Sequence, residues 1–191
     1  MDVRQLFGLR YDDVHVGLVD GLFADLTDAQ ARARPHGVNS VAWLVWHMTR
    51  VEDAVMSRFL ADRPQVLDEG AWNARMALTR RDVGAGMTSE EVDALSGAVD
   101  LGALRSYQRA VAERTRALVS ELPVTAWDAI VAPADVRRHA AADAMLVDAG
   151  RWVEEFWAKG HSRGWYFLQV GLLHPYGHCF EGLVTRGMLG L

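Results

Sequence analysis

Apolar residues recur three and four positions apart over four long stretches of this chain, and each stretch predicts a helix. The first runs from about Val3 to Leu26, with Leu6, Leu9, Val14, Leu18, Leu22 and Phe23 at mostly helical spacings. Pro35 and Gly37 mark a loop, after which Asn39-Ser40 offers an N-cap to a second helix reaching about Ala61. Its apolar stripe is Leu44, Met48, Val51, Val55 and Phe59. A third helix is expected from about Leu101 to Leu122 and is ended by Pro123; a fourth runs from about Ser162 to Met188. Between Asp62 and Asp100 the pattern weakens around Pro64, Gly70, Gly84 and Gly86, so an irregular crossover is expected there, with one short helix capped by Thr88 toward Glu91. Pro133 breaks the stretch from Val124 to Gly160, where Arg137 to Leu146 and Arg151 to Ala158 could form short helices. No strand-like alternation, repeat or low-complexity tract interrupts this. The pattern predicts an all-α fold, a four-helix bundle with long crossover connections, in a single domain over 1–191.

Composition narrows the function. The 191 residues are 50% hydrophobic and 24% charged, as in an ordinary globular domain. A net charge of -5 and a pI near 5.8 provide no broad positive field for a nucleic-acid backbone, so nucleic-acid binding is disfavoured. The opening MDVRQLFGLRYDD lacks a basic segment followed by an apolar signal core, and no apolar run approaches the roughly 20 residues that span a bilayer. A cytoplasmic protein without membrane partners is expected. Cys179, the single cysteine, excludes an internal disulfide.

Candidate chemistry sits on three histidines. His47 lies mid-way along the second helix, and His174 and His178 stand four apart in the fourth, a spacing that turns two rings the same way. With His47 contributed from another helix, the three would form one metal site, leaving the remaining coordination positions to water or substrate. By itself the H-x3-H pair is weak: seven histidines yield such a pair by chance roughly one time in four, and both residues could equally be polar edge groups or satisfied core histidines. Pro175 cannot donate the helical bond to the carbonyl of Gly171, which predicts a kink just before the pair.

The words around these histidines carry a family resemblance. NSVAWLVWHMTRVEDAVMSRFL resembles the second helix of DinB-like proteins, a superfamily of four-helix bundles that includes mycothiol- and bacillithiol-dependent thiol transferases. HPYGHCFEGLVTRGMLGL resembles their last helix, with its H-x3-H pair, a glutamate three residues on and a later arginine, here His174, His178, Glu181 and Arg186. Pro175 and Cys179-Phe180 depart from the pattern. The resemblance implies a divalent metal on His47, His174 and His178, with zinc expected first and nickel or iron as alternatives. It also implies a low-molecular-weight thiol such as mycothiol as cosubstrate, a small electrophile as substrate, and a homodimer. Two other readings stay open: a stress-associated metal-binding bundle without turnover, and a metal-dependent hydrolase.

Three carboxylates could assist such a site. Glu52 and Asp53 follow His47 by five and six residues, share its face poorly and read as solvated charges. Glu181 could orient a ligand ring or form an edge ion pair with Arg186. Cys179, about 100° around the helix from His178, reads as a packed core thiol. The tryptophans, among them Trp43, Trp46, Trp152, Trp157 and Trp165, read as core or dimer-seam residues, with Trp43 a candidate for lining a pocket. His15, His36, His139 and His161 read as structural or exposed.

Overall fold

The computed structural model describes residues 2–191. Four long helices make the frame: α1 (3–23), α2 (41–60), α3 (Leu101–Glu121) and α4 (163–188). Short helices at Asp28–Arg32, Val66–Glu69, Trp72–Arg75, Ser89–Ala98, Pro133–Ala142 and Trp152–Trp157 punctuate the crossovers. There is no strand among the described residues, only an isolated bridge between Ile130 and Ser162. The all-α bundle expected from periodicity is therefore the fold.

Helix α2 is the axis of the bundle. Every residue of Val41–Ala54 is buried, so the one-sided stripe read from the sequence understates its role. A helix apolar on most of its circumference belongs inside, with neighbours on all sides. Ser40 caps it by accepting from the Trp43 N–H. The three charged residues of Val41–Ala54 are taken up internally. Glu52 and Asp53, read as solvated, are instead 1% exposed. Asp53 accepts from the backbone N–H groups of Val66 and Leu67 at 2.8 and 2.9 Å, from Ser57 at 2.9 Å and from the Tyr107 hydroxyl at 2.7 Å. Arg50 donates to the Tyr107 hydroxyl and to the Arg81 carbonyl. Glu52 accepts from the hydroxyls of Tyr11 and Thr115. Both acids thus tie α2 to α1, α3 and the first crossover, because a charge five or six residues from the site still had to be paired once the whole helix was buried.

Three of the long helices carry a π turn: Asp13–Leu18, Val55–Leu60 and Gln169–Leu173. The last falls in the turn just before His174 and Pro175, where the distortion is expected. The helix absorbs the missing bond by widening over Gln169–Leu173 and resumes at His174 with Pro175 in its first turn, where no donor is needed. The Gly171 carbonyl accepts from His15 Nε2 of α1 at 3.0 Å. Pro133 likewise starts the helix Pro133–Ala142 instead of breaking it, displacing the expected element toward the N-terminus. Helix α1 ends at Phe23 and not Leu26, with Asp25 in the left-handed region.

No helix among the described residues is long and apolar enough to cross a membrane.

Candidate metal centre

The structure brings the three predicted histidines together. His174 Nε2 lies 3.2 Å from His47 Nε2 and 3.1 Å from His178 Nε2, and one ring nitrogen of each falls within 4.8 Å of the others. The i, i+4 spacing on α4 sets two rings nearly perpendicular at 83°, and the antiparallel approach of α2 supplies the third.

Second contacts fix which nitrogen faces the centre. His47 Nδ1 donates to the Val83 carbonyl, and His178 Nδ1 donates to Glu181 Oε2 at 2.9 Å. Glu181 is held in turn by Asn39 Nδ2 at 2.7 Å. In both rings the Nε2 lone pair is left pointing inward. His174 can donate an Nε2 proton to only one of them, so the other contact opposes two lone pairs unless a cation lies between. Two nitrogens held about 2.0–2.1 Å from one ion at roughly 100° are about 3.1 Å apart, which is the separation of His174 Nε2 from both His47 Nε2 and His178 Nε2. The donor set therefore fits a divalent ion.

Electrostatics favour the neutral, ligating form. Burial carries His47 down to about 4, with the charge of His178 adding to the effect. Burial, then His47 and His178, hold His174 well below the ordinary histidine range. The Glu181 carboxyl is lowered chiefly by its bond to His178.

The crossover that carries Val83 was invisible to periodicity. Gly84 sits at φ +84°, and a Cβ there would stand 2.6 Å from the Trp46 ring. Only glycine lets this backbone come close enough for the preceding carbonyl to meet His47. The glycines at 84 and 86 were visible as loop signals; their service to the site was not.

Beside the histidines opens a cleft of about 550 Å³, walled by Trp43, Met87, Trp152, Phe156, Trp157 and Val170. Trp43 stacks on His47, with ring centroids 4.7 Å apart and 8° between planes. Trp152, read as a core or seam residue, is 66% exposed at the mouth. Cys179 is fully buried and its thiol is pushed up to about 12 by burial, as a packed core thiol should be. Glu181 orients a ring as anticipated; Arg186 does not pair with it but donates to the carbonyls of Leu22 and Ala24. His15 and His139 are buried, His161 stacks on Trp165, and His36 sits at positive φ in the short 3-10 helix Pro35–Gly37; none belongs to the histidine cluster.

Three histidines from two facing helices of a four-helix bundle, beside an open cleft, make an arrangement compatible with metal binding. The chain belongs to the DinB superfamily, which residues 14–149 match. That match includes His47 and stops short of α4, so His174 and His178 enter the centre on geometry. A solved structure described as a conserved protein of a locus from Enterococcus faecalis is similar at 19% identity and a TM-score of 0.75, with 100% of this chain and 99% of that one covered. That likeness concerns the fold. No curated protein matches the chain.

Proposed function

We propose that the protein is a metal-dependent thiol transferase, in which His47, His174 and His178 hold a divalent ion, zinc first, that activates a low-molecular-weight thiol for attack on a small electrophile. The observation that carries the reading is the convergence of three Nε2 lone pairs at the floor of an open cleft. A purely structural clasp would be closed by a fourth protein ligand or packed dry; here three ring nitrogens form the cluster and the cleft meets them.

An ion in this position would supply positive charge that favours a thiolate over a thiol near neutral pH. The remaining work falls to the protein. Neutral His47 and His174 keep their lone pairs available, Glu181 and the Val83 carbonyl fix the rings, and the cleft holds the electrophile against the nucleophile. Hydrolysis is the weaker reading because it needs a proton acceptor above the open position. Glu52 and Asp53 are spent inside the bundle, and Glu181 stands behind His178. The test is thiol consumption with a halodinitrobenzene by the zinc-loaded protein. Turnover in wild type and its loss in His174→Ala is expected; equal rates in both would contradict the proposal.

A homodimer through α1 and α4 belongs to the same reading. Leu6, Leu9, Val16, Leu173, Phe180 and Val184 are 40% or more exposed. These six present on the order of 600 Å² of apolar surface, most of the roughly 800 Å² that each partner of a standard interface buries. Sedimentation should show a dimer that Phe180→Arg with Leu173→Arg converts to monomer, metal content unchanged. A monomeric wild type would contradict it. Reducing, cytoplasmic conditions suit this chemistry, and the single thiol, Cys179, is buried.

A further inference from the structure

The wall of the cleft contains no Asp, Glu, Lys or Arg among the described residues. Its polar side chains beyond the three histidines are Asn39 and Gln169, together with the indole N–H groups of Trp43, Trp152 and Trp157. Asn39 spends its amide N–H on Glu181, and the Trp43 indole N–H is directed at Met87 Sδ at 3.2 Å. Gln169 alone keeps an amide free of any partner among the described side chains. Five residues span about 140° of a regular helix, which would turn Gln169 away from His174. The π turn Gln169–Leu173 adds the residue that brings both into one cleft.

These features discriminate between ligand chemistries. Beyond the reach of an ion held by the histidines, a carboxylate or phosphate would leave water without finding a counter-charge among the lining side chains. A polyhydroxylated ligand would bury hydroxyls against Val83, Val153 and Val170 with almost nothing to accept or donate. A flat apolar ring instead meets Trp152 and Phe156 toward the mouth and Trp43 beside His47, surfaces suited to offset and edge contacts.

We propose that this cleft selects an uncharged, predominantly aromatic small molecule carrying one hydrogen-bonding group, which Gln169 holds. The inference rests on the thiol-transfer reading for the reactive end of the ligand, and it sets charged and sugar-like thiols aside as the preferred partners. Trp152 and Phe156 are specificity-determining, and Gln169 is a positioning residue.

The test is calorimetric titration of the zinc-loaded, full-length protein with benzyl mercaptan, its three ring-hydroxylated isomers, benzyl alcohol, mercaptosuccinate and 1-thioglucose. Benzyl mercaptan should bind at least about tenfold more tightly than mercaptosuccinate or thioglucose. Trp152→Ala combined with Phe156→Ala should weaken it about fivefold or more with zinc content and helicity unchanged. At least one hydroxylated isomer should bind more tightly than benzyl mercaptan, and Gln169→Leu should remove that gain alone. The proposal is overturned if either polar thiol binds as tightly as benzyl mercaptan, if the double variant is without effect, or if no probe binds. Benzyl alcohol separates the two levels: should it bind as well as benzyl mercaptan, the aromatic cleft stands while the thiol reading fails.

Discussion

His15 on α1 donates through Nε2 to the carbonyl of Gly171 on α4 at 3.0 Å, at the acceptor that Pro175 cannot serve as a helical donor. The ring is buried, stacks on Tyr11 at 3.9 Å and lies 3.4 Å from Glu52 Oε2. A proline that would otherwise disturb the helix before the ligand pair is thus accommodated by a neighbouring helix. His15→Leu should lower stability by about 1–3 kcal/mol, the cost of an unsatisfied buried acceptor with loss of the bond. Chemical denaturation reads this directly. A change under about 0.5 kcal/mol would mean that the π turn needs no support from α1.

Asp53 and Glu52 provide a contrast with the histidine cluster although they stand close to His47 in sequence. Asp53→Ala strips four donors of their acceptor and leaves Arg50 buried beside them, so a loss of about 3–5 kcal/mol is expected. Metal bound per folded chain should stay at the wild-type value. Metal loss without destabilisation would place Asp53 in the centre instead of the frame.

Periodicity made the four helices legible, because burial of one face leaves a 3.6-residue signature, and Ser40 and Thr88 mark the starts of α2 and of the short helix Ser89–Ala98. His47, His174 and His178 were legible as a candidate set through spacing and resemblance. The burial of Glu52 and Asp53 was not, since it depends on what packs against the far side of α2. Nor was the Val83 carbonyl, whose approach to His47 depends on the backbone at Gly84. Trp152 shows the same limit: an aromatic residue in an apolar stretch carries no mark that tells a core position from a cleft mouth.

Glu181 bridges Asn39 at the start of α2 to His178 on α4. Glu181→Ala should weaken metal affinity about 10- to 100-fold, while Glu181→Gln, which keeps an acceptor for Nδ1–H, should cost less. Competition with a chromophoric chelator would measure both. Equal affinity in Glu181→Ala and wild type would reduce Glu181 to a surface tie between helices.

The metal-free protein should lose stability as pH falls from about 6.5 toward 4. Unfolded His47 takes up a proton below its ordinary 6.5, whereas the folded ring resists until about 4, so the unfolded state binds more protons in that window. The effect from His47 is worth roughly 2–3 kcal/mol. The destabilisation is absent above pH 7 and reaches its full size only below pH 4. Urea midpoints of wild type and His47→Gln across this range should converge in acid; parallel curves would contradict the assigned shift.

One ion shared by α2 and α4 requires stoichiometric metal that is lost with any one of the three histidines. Protein purified without a histidine tag, reconstituted with zinc and analysed by inductively coupled plasma mass spectrometry should hold one equivalent per chain. His47→Ala, His174→Ala and His178→Ala, each confirmed as folded, should all fall well below it. Wild type that takes up no metal, or a His47→Ala variant that keeps a full equivalent, would contradict the three-histidine centre.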